Sequence, residues 1–127
     1  YKTGRNKKSS IKSIAEIFDP KNILSKHTDY YLQTILYAKM VWGNPNLNKE
    51  KLPVKPILFY VQNAKGAEND LDLLIDKTPV VVDDHFTDEF AKGIHKVVED
   101  IFDESLPFSP TQDTKQCTNC PYYEYCY

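Results

Sequence analysis

Three cysteines crowd into the last eleven residues of the chain, Cys117, Cys120 and Cys126, in the pattern C-x2-C-P-x4-C. Two thiolates separated by two residues can grip one metal ion or one edge of a metal cluster, and a third beyond a turn can fold back onto it. An even set of cysteines spread along a chain suits a disulfide framework, whereas an odd, tightly spaced set suits a metal or cluster site. Pro121 stiffens the turn, and Tyr122, Tyr123, Tyr125 and Tyr127 are placed to shield the sulfurs from water. The spacing leaves three readings open: an iron–sulfur site, a three-cysteine zinc site completed by another ligand, and ordinary thiols near a terminus.

Ahead of this tail the chain alternates between two periodicities. Gly4 and the polar run Arg5 to Ser10 give a loop signal, and a short helix is expected from Ile11 to Phe18, ended by Asp19-Pro20. Thr28 or Asp29 is a good N-cap for a helix over Tyr30 to Trp42 that Gly43-Asn44-Pro45 stops. After a loop to Pro56, the β-branched and aromatic run Val54 to Gln62 reads as a strand with Pro56 near its start or on an edge. Asn63 to Asp70 turns, Thr78 to Val82 is a second short strand, and Asp70, Asp72 and Asp76 form a solvated acidic loop. A long helix follows from Asp84 or Thr87 to Phe102, its stripe of Phe86, Phe90, Ile94, Val97, Val98 and Ile101 expected to pack on a sheet. This order describes the second half of an α/β or α+β domain. Residues 1–106 form its body and residues 107–127 the cysteine-rich tail.

The chain has 127 residues, enough for one domain or the larger part of one. It opens on Tyr1, and its single methionine, Met40, falls inside a helical pattern, so it is expected to be an excerpt from a longer polypeptide. No apolar run approaches the roughly 20 residues needed to cross a bilayer, and a cytoplasmic protein is expected. The net charge of −2 hides an asymmetry: residues 1–26 carry seven Lys or Arg against Glu16 and Asp19. A local basic segment, with Arg5, Lys7 and Lys8 at its heart, attracts a polyanion or forms a solvated loop.

Two further features carry chemistry in combination. Gln33 and Tyr37 stand at i and i+4, which puts both polar tips on one helix face, one turn apart. Tyr1-Lys2-Thr3-Gly4 offers an ammonium ahead of a glycine. Either alone reads as an ordinary surface feature.

Together, "YKTG", the "QTILYA" helix supplying Q-x3-Y, and the terminal C-x2-C-P-x4-C resemble the RecB and AddB type of PD-(D/E)XK nuclease, including CRISPR-adaptation nucleases with the same cluster. The resemblance covers nearly the whole chain in order and spacing. It implies a partial restriction-endonuclease-like core, a mixed sheet flanked by helices, and a strand motif D-Y-K-T-G whose metal-binding aspartate precedes Tyr1. Residues two apart on a strand share a face, so that carboxylate and Lys2 would project together. In the family the carboxylate holds Mg²⁺ or Mn²⁺, the lysine steadies or deprotonates the attacking water, and Gln33 and Tyr37 line the same site. Tyr1 would face the core. The family's [4Fe–4S] cluster takes three cysteines near the C-terminus, here Cys117, Cys120 and Cys126, and a fourth from far upstream.

The resulting expectation is a metal-dependent DNA nuclease domain from a bacterial helicase–nuclease or related repair and recombination protein, these 127 residues alone being inactive. The alternatives are a non-catalytic nucleic-acid-binding or scaffold module with the same fold, and a zinc-binding interaction domain. Asp83-Asp84-His85 is more simply a helix start, with Asp84 as cap, than a metal site, and His27 and His95 have no partner at ligand spacing.

Overall fold

The computed structural model describes residues 11–60, 71–110 and 114–126. Short 3₁₀ helices at Ile14–Phe18 and Pro20–Asn22 lead into α1 (Ile23–Lys26) and α2 (Thr28–Gly43). Then come β1 (Leu74–Ile75), β2 (Thr78–Pro79) and α3 (Asp84–Phe102), followed by a 3₁₀ turn at Thr114–Gln116 and α4 (Tyr123–Cys126). The result is a mixed α/β architecture with a small antiparallel sheet and flanking helices, consistent with part of a restriction-endonuclease-like core.

The segment expected as a helix from Ile11 splits in two. Ile11 makes a parallel bridge with Ile75, and Asp76 N–H donates to Ile11 C=O at 2.8 Å. Helical turns begin only at Ile14, whose 3₁₀ segment buries Ile14 and Ile17 and packs against both α2 and α3. This wedge, rather than a sheet, receives α3: the Phe18 and Phe90 rings lie 5.3 Å apart, and Phe86 stacks on Phe90 at 6.1 Å. The close approach occurs at Gly93, where any Cβ would collide with the Phe18 ring.

α2 starts at Thr28 rather than after it. His27, in left-handed backbone geometry at φ 53°, closes α1 and stands at the cap position without a side-chain cap bond. Thr28 cannot cap because its side chain turns into the core, fully buried, its hydroxyl without a hydrogen-bond partner. Tyr31, Ile35, Ala38 and Trp42 continue that buried face, and Tyr31 donates its hydroxyl to Leu74 C=O at 3.1 Å, tying α2 to the sheet.

The sheet differs from expectation in two places. The acidic loop is instead a hairpin: Leu74 pairs with Pro79 and Ile75 with Thr78 across Asp76 and Lys77, both at positive φ (47° and 63°) as a two-residue primed turn requires. Asp72 is not solvated but ion-paired with Lys55 at 2.7 Å, while Asp70 lies outside the described residues. Val54 to Tyr60 is extended, with Pro56 and Leu58 buried and Ile57 and Phe59 exposed. It is not a continuous strand. Val54 bridges Val82 and Ile57 bridges Asp72, both antiparallel, because Pro56 has no N–H to donate between them. Val61 and Gln62, and the turn expected at Asn63 to Asp70, lie outside the described residues.

α3 spans Asp84–Phe102, and its cap is Asp83, not Asp84: Asp83 Oδ1 accepts the Phe86 N–H at 2.9 Å. Among the described residues no helix is long and apolar enough to cross a membrane.

Candidate functional site

The outward face of α2 is the place where predicted site residues meet. Its buried positions occupy one side of the helix, so Gln33 and Tyr37 are carried on the other, both exposed. Gln33 Nε2 donates to the Tyr37 hydroxyl oxygen at 3.3 Å, the contact that i, i+4 spacing anticipates. With its oxygen accepting from the amide, the Tyr37 O–H is left to donate to a further acceptor, and a phosphate oxygen is one such group. The helix beneath is firm: Thr34 Oγ1 donates to Tyr30 C=O at 2.7 Å, and Ile35 is wholly buried behind the pair.

One turn toward the N-terminus lies an aromatic cluster that the sequence did not single out. His27 stacks on Tyr30 at 5.2 Å, and Tyr30 meets the Tyr60 ring at 6.4 Å. Burial holds the Tyr60 hydroxyl above its ordinary pKa, with Tyr30, Tyr31 and Asp29 adding to the rise, so it stays a neutral donor. Its only signal in the sequence is an aromatic residue in an extended run, which is too common to be read as a site.

In the tail, backbone bonds from Cys117 N–H to Thr114 C=O, Cys120 N–H to Cys117 C=O and Tyr123 N–H to Cys120 C=O, at 3.0 to 3.2 Å, wind the chain through successive tight turns. Cys117 and Cys120 are both half-buried on that coil. Cys126 belongs to α4, and its side chain lies outside the described residues, as do Tyr1, Lys2, Arg5, Lys7, Lys8 and Tyr127. The Asp83-Asp84-His85 run acts as a helix start, and His95 pairs instead with Glu99 at 3.1 Å.

The sequence model of the PD-(D/E)XK nuclease superfamily matches residues 1–127, the whole chain. The chain belongs to this superfamily. No curated protein and no solved structure matches it. PD-(D/E)XK proteins are in general hydrolytic nucleases acting on DNA, and they typically use Mg²⁺ or Mn²⁺. Among the described residues no group of three or more His, Cys, Asp or Glu converges to hold a metal ion. The described residues do bring Gln33 and Tyr37 together on one exposed helix face.

Proposed function

We propose that the chain is the C-terminal part of a RecB/AddB-like nuclease domain that cleaves DNA as part of a helicase–nuclease or related repair and recombination protein. The observation that carries this reading is the Gln33–Tyr37 hydrogen bond on the solvent face of α2, opposite the buried flank, where both side chains are open to a polyanion. In this reading residues 1–106 complete the nuclease body. Lys2 lies in the same site and offsets phosphate charge while steadying the attacking water, and Arg5, Lys7 and Lys8 hold the backbone of the substrate. Gln33 orients Tyr37, which donates to a phosphate oxygen. The motif D-Y-K-T-G would put its metal-binding aspartate ahead of Tyr1, and the divalent ion would be held there.

In the same reading residues 107–127 are a separate staple. The tight turns at Cys117 and Cys120 support a shared ligand role, with Cys126 third and an upstream cysteine fourth around a [4Fe–4S] cluster.

The test uses the polypeptide extended upstream through the motif. Lys2→Ala is expected to abolish Mg²⁺- or Mn²⁺-dependent cleavage of linear and single-stranded DNA while leaving DNA binding largely intact, because phosphate affinity is spread over many contacts. Gln33→Ala and Tyr37→Phe should slow cleavage less severely. Parental cleavage rates in all three variants would remove these residue roles, and DNA binding without cleavage in the parent would establish the non-catalytic module instead. Anaerobic purification with iron and sulfide analysis tests the tail: stoichiometric zinc without iron would remove the cluster assignment.

A further inference from the structure

Past Ile94, α3 stands clear of the body, and every residue from His95 to Phe102 is exposed. Its apolar stripe nevertheless continues: Ile94, Val97, Val98 and Ile101 share one face and read the same in either direction along the helix. Ile101 is 56% exposed and Phe102 79%. Single exposed apolar side chains need no explanation, but a stripe that outruns the core covering it forms a surface.

Beside this stripe lies a hollow of about 600 Å³, lined from α3 by Asp88, Ala91, Lys92, Ile94, His95 and Val98 and from α2 by Lys39. Ala91, His95, Val98 and Phe102 succeed one another at helical spacing, so Phe102 stands on the hollow's side of α3. Its backbone lies about 10 Å further along the axis than that of His95, too far for the ring to fill the hollow of its own copy. On the same flank Lys92 and Lys96 precede Glu99 and Asp103.

We infer that this face is an interface between two copies of the chain, α3 against α3 and antiparallel, with each Phe102 ring seated in the other copy's hollow. A two-fold axis between Val97 and Val98 sets Ile94 opposite Ile101 and Val97 opposite Val98, the self-complementarity that a closed dimer requires. The same axis brings Phe102 level with Gly93, amid the residues that line the hollow, and sets Lys92 level with Asp103 and Lys96 with Glu99. An unrelated protein would need the same stripe and the reversed charge order, both of which a second copy supplies by symmetry. Nucleic acid is a poorer occupant, because Glu99, Asp100, Asp103 and Glu104 crowd the outer end of the helix. The face covers on the order of 600 Å² per copy, the low end of specific interfaces, so the pair should form at about 10–100 µM and part on dilution. Lys39 stands two residues past Tyr37, about 200° round α2, so pairing leaves the Gln33–Tyr37 face open.

The test is sedimentation equilibrium of the whole chain, from well below to well above that concentration range, with reductant to exclude pairing through cysteines. A reversible monomer–dimer equilibrium is expected. Phe102→Ala should weaken it about tenfold, and Val98→Glu, which sets a charge against its own copy in an apolar seam, should abolish it. Lys92→Glu should weaken it about threefold, and Lys92→Glu with Asp103→Lys in one chain should recover the parental constant, because the two-fold sets each against the other. All four positions are exposed, so the variants keep the parental circular dichroism spectrum. A chain that stays monomeric throughout overturns the inference, as does association that either Phe102→Ala or Val98→Glu leaves unchanged. Neither outcome touches the nuclease reading, which rests on α2.

Discussion

α2 and α3 are the two long helices among the described residues, and their burial runs opposite to their patterning. α3 has the cleaner apolar stripe, yet Phe90 is its single fully buried residue and Val97, Val98, Ile101 and Phe102 are exposed. α2 is apolar on more sides and less clearly striped, yet it buries Tyr31, Ile35, Ala38 and Trp42. The reason is geometric. The Ile14–Phe18 wedge touches both helices, but α2 is also bound to the sheet through Tyr31, while α3 meets Phe18 at Phe90 and Gly93 and is exposed at Val97, Val98, Ile101 and Phe102. Periodicity tells which face of a helix is fit to be covered, not how much of it is covered.

The largest test of this difference is a set of truncations. Phe90→Ala should cost about 3–5 kcal/mol and Ile35→Ala about 2–5 kcal/mol in denaturant unfolding. Ile101→Ala and Phe102→Ala should each stay within about 0.5 kcal/mol, since they remove little buried area. Amide exchange should follow the same gradient, slow through α2 and fast past Val97. A loss at Ile101 as large as that at Phe90 would mean that the second half of α3 is covered in solution.

Gly93→Ala sharpens the contrast where α3 is tightest. On an exposed helix the change should stabilise by up to about 1 kcal/mol. Here the added methyl meets the Phe18 ring, itself held against Phe90, so a net loss of about 1–3 kcal/mol is expected in the same unfolding measurement. Phe18→Leu should recover part of it, because the smaller side chain clears the notch.

Much of this could be read from residues alone, and the failures have physical causes. Both long helices announced themselves through spacing and stop signals, and the Gln33–Tyr37 contact followed from i, i+4 geometry. The hairpin did not. Its turn is Asp76-Lys77, and without the glycine that usually marks positive φ it resembled an acidic loop. Val54 to Tyr60 had strand composition, but Pro56 limits it to separate bridges, which composition does not reveal. Thr28 had the identity of a cap and the position of a core residue; burial decided against capping. Asp84 and Asp83 were equally good caps by type, and only the bond to Phe86 N–H distinguishes them.

That cap gives a smaller prediction. Asp83→Ala removes the acceptor for Phe86 N–H at the start of the well-packed half of α3 and should cost about 1 kcal/mol. Asp84→Ala should cost less, since Asp84 offers only its charge to the helix terminus. Equal losses at the two positions would show that charge, rather than the hydrogen bond, is what the helix start uses.

The smallest expected effect concerns the wedge on its α2 side. Glu16 Oε2 accepts from Lys26 Nζ at 2.8 Å and from Lys12 N–H at 3.2 Å, joining the 3₁₀ segment to the end of α1, which leads into α2. The Lys26 contact first, and the Lys12 N–H second, hold the Glu16 carboxyl below its ordinary pKa. A carboxyl lowered in the folded state binds fewer protons there than in the unfolded chain, so its contribution is present above the usual glutamate value of about 4.3 and is lost as pH falls through the lowered one. Because Glu16 faces water, screening keeps the effect slight, and salt should diminish it further. Thermal unfolding at neutral pH and below pH 4 should therefore show a slightly smaller acid-side loss in Glu16→Gln than in the parent. α3 has no matching tie to the wedge through this residue, so amides in α1 and the first turn of α2 should loosen on acidification before those around Phe90. Loosening that begins at Phe90 would place the acid-sensitive contact on the α3 side instead.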